Sequence, residues 1–473
     1  MDFGRLRGVW RRIFALAWPV MAEQTTRTLM RTVDILVTAA LSPAAVVAIG
    51  LADLFARFPL RVGLGLGGGA IALSSQDTGS GADANRDEAI AQSLLLGAAI
   101  GVPFVAVGLL AGPALVGLFP ASDEAVRLGG AYLAIVFASA PARLLALVGA
   151  RALQGIGDTA TPMYVNVLAN VVNVGLSVGL GFGLLWLPAL GVRGVAAATA
   201  TANVLSAGLL LIGLYRPSSP LSFTVPADVT IAGQLVRIGL PRMAEGITSE
   251  LAEFPFNALL LSLGGVAGGV AGTGGAAAGD VINAGFQVGR RVYQQVTGPL
   301  SRGYKIATNI LVGQAVGRSD PATASYEGWA AAALSVLTVG GIGALLVVGA
   351  DPVVGLLGFG SSPAALEYAA AFAVAYGLSA PGLALFSTLS GGLQGAGETR
   401  LPFYARTTGM FGFFVGFSYL TVGRFGLDGV YAGIVLAHLW MGLTMAVAFR
   451  YADWSGTAAG LLRERGSVAP KND

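Results

Sequence analysis

Long apolar runs, each ended within a few residues by proline, glycine or charge, recur along this chain at near-regular intervals, and few folds accept them. They lie near residues 13–41, 46–74, 88–117, 124–153, 160–187 and 191–215, then near 233–263, 278–313, 322–348, 363–393, 400–424 and 427–450. A bilayer core takes about 20 residues of helix, and in lipid every backbone polar group must be satisfied inside its own segment. The runs therefore predict twelve transmembrane helices. Composition agrees: 11% of residues are charged, against about 25% in soluble domains.

A polar, proline-bearing connector, Arg216 to Asp228, separates two sets of six runs. The expected organisation is an N-terminal six-helix lobe (1–215), a cytoplasmic connector (216–232), a C-terminal six-helix lobe (233–450) and a polar cytoplasmic tail (451–473). The N-terminal arginines Arg5, Arg7, Arg11 and Arg12 are followed by no small-residue cleavage site, so the first run reads as an uncleaved span. With that end inside, Arg86, Arg151, Arg216, Arg318, Arg400 and Arg450 also fall inside, whereas the outer loops hold Arg127, Arg193 and Arg424. The asymmetry predicts both termini cytoplasmic in a multi-pass protein of the cell inner membrane.

The halves repeat one another. Pro19-Val20-Met21-Ala22-Glu23 returns as Pro241-Arg242-Met243-Ala244-Glu245, and Leu153-Gln154-Gly155-Ile156-Gly157-Asp158-Thr159 returns as Leu393-Gln394-Gly395-Ala396-Gly397-Glu398-Thr399, with Pro162 matching Pro402. Six spans per half leave the copies in the same orientation, as in transporters whose lobes are related by an axis along the membrane normal.

These residues resemble the multidrug and toxic compound extrusion (MATE) family. The resemblance is carried by the two L-x-G-x-G-[DE]-T-x-x-P loops, the first-span segment TVDILVTAAL with Asp34, and Leu311-Val312-Gly313-Gln314. It covers nearly the whole chain and implies an all-α, MATE-like fold of two pseudo-symmetric six-helix lobes. Asp34 resembles the first-span aspartate of the prokaryotic DinF-like branch, which works with polar residues of spans five and six to take up H⁺ or Na⁺ and drive export of cationic amphiphiles. One position departs from that branch: Ser177 stands where a second aspartate is usual.

The residues themselves point the same way. Charges at membrane depth are costly and by default face an interior cavity. On span one, Glu23, Arg27 and Asp34 fall within about 40° of one helix face, with Arg31 nearby. A carboxylate among basic neighbours can change protonation as its cavity opens, although a structural ion pair would place the same residues together. Span five presents Asn166, Asn170, Asn173 and Ser177 at steps of four, three and four; span six adds Thr199 and Asn203. Their oxygens suit cation coordination or ordered water, or they act as hydrogen-bonding glue between helices. The internal repeat separates these readings. Asp34 corresponds to Phe256, and Asn170, Asn173 and Ser177 correspond to Met410, Phe413 and Phe417, so the polar set belongs to one lobe.

The candidate coupling set is Asp34, Asn173, Ser177, Asn170, Thr199 and Asn203. Glu23, Arg27, Arg31, Asn166, Glu245, Glu250 and Glu253 are candidate cavity residues, the three span-seven acids also being placed to pair with Arg290, Arg291, Arg302, Lys305 or Arg406. With no cysteine and one histidine, no Cys/His metal site or thiol nucleophile is available, and the chain is not expected to be an enzyme. Gly63, Gly65 and Gly68 have a dinucleotide-motif spacing but sit inside an apolar run with no preceding strand.

The expected function is proton-coupled export of amphiphilic, cationic small molecules by alternating access, H⁺ being favoured over Na⁺ by the single carboxylate. The competing reading is export of an anionic or lipid-linked substrate, prompted by Arg57, Arg61 and Arg143 in the N-lobe. Expected partners are the small-molecule substrate and the lipid bilayer, with no nucleic acid, no cofactor beyond the transported ion, and a monomeric chain.

Overall fold

The structure is a computed structural model and describes residues 3–184, 186–263, 275–357 and 362–466. Its helices are α1 (Phe3–Leu41), α2 (Pro43–Ser80), α3 (Asp83–Val116), α4 (Asp123–Ala138), α5 (Ala140–Gly155), α6 (Ala160–Phe182), α7 (Val192–Tyr215), α8 (Val229–Ser262) and α9 (Gly275–Gly317). There follow α10 (Pro321–Ser335), α11 (Gly341–Val348), α12 (Ala350–Leu357), α13 (Pro363–Gly395), α14 (Arg400–Thr407), α15 (Ser418–Phe425), α16 (Leu427–Tyr451) and α17 (Trp454–Glu464). Wider π-helical turns at Val336–Gly340 and Thr408–Phe417 join α10 to α11 and α14 to α15 into single rods.

With α4 and α5 taken as one rod bent by 50°, each of the twelve expected spans has its helix. Seven helices are long and apolar enough to cross a membrane, or eight with the bent pair. Among the rest are α1, α8 and α9, which carry the intramembrane charges singled out above.

Local chemistry sets the helix ends. Ser42 accepts a hydrogen bond from the Ala45 amide at 3.0 Å and Pro43 opens α2, an N-cap with proline in the first turn. The repeated loop is likewise a helix terminator. Gly157 and Gly397 adopt φ of 96° and 85°, and the amides of Asp158 and Glu398 return to the carbonyls of Leu153 and Leu393 at 3.0 and 2.8 Å, which closes a Schellman turn. The acid after the glycine then starts the next helix: the Asp158 carboxylate accepts from the Thr161 amide, and that of Glu398 from the Arg400 and Leu401 amides.

The chain forms two compact units. Unit 1 comprises Met1–Met21, Ala244–Val316 and Asp320–Ala458; unit 2 comprises Ala22–Met243, Gly317–Ser319 and Ala459–Asp473. These limits differ from the lobe limits expected from sequence. The first half of α1 clusters with the second set of spans, α8 changes unit at residue 243, and the connector belongs wholly to unit 2. The core of unit 1 is aromatic: Phe256 stacks on Phe414 with centroids 3.9 Å apart, and Phe286, Phe372 and Tyr431 continue the cluster.

Unit 2 is built on small residues. At Gly65 a Cβ would meet the Gly239 carbonyl at 2.7 Å, and at Gly69 the Leu235 carbonyl at 2.9 Å. Gly65, one of the glycines that mimic a dinucleotide motif, and Gly69 thus let α2 and α8 approach backbone to backbone. The first turns of α3 fasten the connector: the Glu88 carboxylate accepts from the Ala227 and Asp228 amides at 2.6 and 2.8 Å, and the Asp87 carboxylate from the Ser222 amide at 2.9 Å.

Candidate functional site

In unit 2, α1, α6, α7 and the α4–α5 bend bring the predicted coupling residues into one polar chain. The Ser177 hydroxyl donates to Asn173 Oδ1 at 3.3 Å, Asn173 Nδ2 donates to Thr199 Oγ1 at 3.3 Å, and Thr199 donates to the Val195 carbonyl at 3.2 Å. Asn203 Nδ2 reaches Ser139 Oγ at 2.9 Å, inside the bend of α4–α5. Asn173 and Ser177 are 2% and 0% exposed.

Asp34 lies beside this chain, close to Ser177 and Arg31. Its Oδ1 is buried with no hydrogen-bond partner among the described residues, and so is Asn170 Nδ2. A buried ionised carboxylate with an empty lone pair is costly, whereas the protonated form needs less solvation. The arrangement is therefore one that a proton, or a ligand bringing positive charge, completes.

Among the described residues Asp34 has no ion-pair partner. The sequence placed Arg27 and Arg31 as its basic neighbours. Instead Arg27 pairs with Glu23 at 3.1 Å, one turn earlier on the same helix, and Arg31 acts on Asp34 from beyond ion-pair distance, sharing its field with Asp53, Arg27 and Arg57. Asp53 is paired with Arg57 at 3.7 Å. Glu23 and Asp53 are thus held by their own helices, and Asp34 is left without an ion pair among the described residues. Arg143 reaches only the Ala56 carbonyl, at 3.4 Å.

Not every candidate joins the chain. Asn166 donates to the Pro162 carbonyl of its own helix at 2.9 Å. Sequence reasoning missed Ser139 and Tyr132. Tyr132 is 8% exposed and lies within electrostatic range of Asp53, Asp34 and Arg143. Tyr132 lies on α4, and Ser139 is the residue between α4 and α5.

The acids of α8 belong to unit 1. Glu245 is buried, 3.4 Å from Arg406 and 4.0 Å from Lys305, and accepts from Gln394 at 3.3 Å. Glu253 pairs with Arg290, which also donates to Gln287. For these two, the ion-pairing alternative is the arrangement present; Glu250 likewise has an interaction partner. The counterpart of Asp34, Phe256, lies in the stacked aromatic core, so the polar site has no copy in unit 1. His438 donates to or accepts nothing beyond its own helix and neighbouring ring: Nδ1 lies 2.8 Å from the Ile434 carbonyl, with Tyr376 edge-on at 5.9 Å. Among the described residues, no cluster of His, Cys, Asp and Glu could hold a metal ion.

Twelve hydrophobic rods in two repeated sets, with few charges and no extramembrane domain among the described residues, define a polytopic membrane transporter. Comparison with known proteins narrows this. The MatE family profile matches residues 19–178 and 275–420, and the chain belongs to the MATE family. A probable multidrug resistance protein NorM of Bradyrhizobium diazoefficiens is 28% identical over 406 residues, covering 82% of this chain and 81% of the relative. The corresponding protein of Thermotoga maritima is 25% identical over 359 residues, covering 74% and 73%. Among solved structures, an outward-facing multidrug resistance MATE transporter superposes with a TM-score of 0.84 at 22% identity, covering 96% of each chain. A transporter from Pyrococcus furiosus, described as having reversed binding-pocket polarity, superposes with a TM-score of 0.81 at 22% identity, covering 95% of this chain and 96% of that one. The chain is thus a multidrug efflux transporter of the MATE family and not an enzyme.

Proposed function

We propose that this transporter is an H⁺-coupled antiporter that exports amphiphilic, cationic small molecules by alternating access, with Asp34 the group that exchanges the proton. The observation that carries the reading is Asp34 itself: unpaired, with a buried empty oxygen, beside a chain of polar side chains found in one unit only. An ion can shift the equilibrium between inward- and outward-open states only by its differential affinity for them, and an unpaired carboxylate offers that difference. H⁺ is favoured over Na⁺ because the nearby oxygens are already committed, Asn173 Oδ1 to Ser177 and Thr199 Oγ1 to Asn173. Dehydrating Na⁺ would require several free oxygens at once.

Charge supports a second reading, in which the substrate is anionic or lipid-linked. Among the described residues Arg31 and Arg143 have no ion-pair partner, whereas Glu23 and Asp53 are each neutralised on their own helix. We place the protein as a monomer in the inner membrane, with both termini cytoplasmic, on the even number of spans and the arginine asymmetry. The deciding experiment is transport in proteoliposomes with imposed pH or Na⁺ gradients, using ethidium and a sulfonated dye in parallel. Ethidium accumulation that follows the pH gradient supports the first reading; movement of the anionic dye alone replaces it with the second.

A further inference from the structure

The start of α1 carries charge that the proposed coupling site does not use. Arg5, Arg7, Arg11 and Arg12 are all exposed, and no acid occurs from Phe3 to Ala22. The four point two ways. At about 100° per residue, Arg7 and Arg11 share an arc of about 80° with Phe3, Phe14 and Trp18, aromatic side chains that are exposed. Arg5 and Arg12 lie within about 20° of each other and about 100° or more round the helix from that pair. This second face is the one turned to α10.

There the first turns of α1 and α10, both within unit 1, enclose a cavity of about 310 Å³ whose wall includes Arg5, Arg12, Thr323, Tyr326 and Glu327. Trp10 Nε1 donates to the Ala330 carbonyl at 2.9 Å and ties the two helices together. The Arg5 guanidinium lies over the Tyr326 ring, 4.2 Å from its centroid, a contact that fixes its plane and uses none of its N–H donors. Arg12 pairs with Glu327 through Nη2; the Glu327 side chain is 1% exposed and that of Arg12 55%. The acid is thus neutralised within the wall, while the arginine keeps donors for a further partner. Two guanidiniums and two hydroxyls face one neutralised carboxylate, a set suited to phosphate oxygens. Depth decides which phosphate. Arg5 and Arg12 precede the apolar run of α1, which starts near residue 13, so they stand at the level of lipid head groups, where basic pockets between membrane helices hold them. Ala333 and Leu337 continue the Tyr326 face of α10 towards the hydrocarbon within an arc of about 40°; both are exposed, Leu337 by 63%, which gives an acyl chain an apolar track.

We propose that the α1–α10 cavity is a binding site for one anionic phospholipid, with Arg5 and Arg12 on the phosphate oxygens and the Leu337 face against an acyl chain. The site does not depend on Asp34, on the coupling ion or on which end of the chain is cytoplasmic.

Native mass spectrometry of the full chain in detergent, titrated with phosphatidylglycerol or phosphatidylcholine, tests it. The wild type is expected to hold one phosphatidylglycerol about tenfold more tightly than phosphatidylcholine. Charge-matched variants then separate a fitted site from a diffuse basic surface. Arg5→Gln and Arg7→Gln each remove one positive charge from the same exposed helix end, yet Arg5→Gln should weaken retention about tenfold, the loss of one charge-assisted contact, and Arg7→Gln by no more than about twofold. The double variant Arg12→Gln/Glu327→Gln keeps the net charge, orphans no buried carboxylate and should weaken retention about as much as Arg5→Gln. Equal losses in Arg5→Gln and Arg7→Gln overturn the proposal, because a general positive field then holds the lipid. Full retention by the folded double variant overturns it too. Displacement of phosphatidylglycerol by millimolar inorganic phosphate overturns the assignment to lipid, the cavity then being a site for the free anion. Arg5 is exposed, so the comparison of Arg5→Gln with Arg7→Gln decides the matter whether or not the double variant folds.

Discussion

Replacing Asp34 by Asn keeps the shape of the side chain and removes the carboxylate on which the proposed coupling rests. The expected size of the effect follows from that proposal. Glu23 and Asp53 sit in ion pairs of 3.1 and 3.7 Å, so with Asp34 as the exchanging group the expected stoichiometry is one H⁺ per cycle. One proton moved down one pH unit supplies about 1.4 kcal/mol, or a tenfold accumulation of an exported monovalent cation in electroneutral exchange. Proteoliposomes carrying ΔpH of one and two units are therefore expected to concentrate ethidium about tenfold and about a hundredfold, a slope of one decade per unit. In Asp34→Asn the same vesicles equilibrate ethidium across the membrane without concentrating it, because an amide does not titrate. Binding of ethidium by the purified variant, read by its fluorescence anisotropy, shows that the fold persists. A slope of two decades per unit, or gradient-driven accumulation by the variant, refutes the reasoning.

Other expectations follow from single contacts. Glu245→Gln leaves Lys305 and Arg406 without their buried counter-charge, and thermal unfolding in detergent should report a loss of about 3–5 kcal/mol. Ser177→Asp adds a second carboxylate beside Asp34, so transport should become Na⁺-stimulated at neutral pH; indifference to Na⁺ counts against the committed-oxygen argument. Gly157→Ala and Gly397→Ala force a side chain into φ of 96° and 85°, each costing about 1–2 kcal/mol, which a lowered melting temperature in both variants checks.

Much of the fold was legible because its signals are local. A bilayer imposes a minimum apolar length, and helix hydrogen bonds close within four residues, so the twelve runs located the helices with ends a few residues off. The start of α1 illustrates the error. Its apolar run was placed from residue 13, but the helix begins at Phe3, because arginines outside the apolar zone still favour helix. The repeated loop was also readable, since glycine at positive φ followed by a capping acid is a nearest-neighbour device.

The site was half legible. Steps of four and three on one helix fixed which of Asn170, Asn173 and Ser177 share a face, and the repeat showed that the second lobe lacks them. The sequence could not say that Arg27 would take Glu23 and leave Asp34 unpaired, because a helix offers Arg27 both Glu23 and positions one turn on, and packing chooses. Nor could it find Ser139 or Tyr132, which reach the chain only through the bend of α4–α5.

What the sequence determined by itself was the membrane class, the span order, the duplication and the loop turns, all consequences of hydrophobic length and of contacts within a few residues. The tertiary structure decided what depends on residues far apart in the chain. The first 21 residues joined unit 1, Glu245 was neutralised by Lys305 and Arg406, and the expected polar tail buried Arg465 against Asp77 at a separation of 388 residues. Pairing energies of that kind come from desolvation and geometry at the point of contact, and no local pattern of residue types encodes them.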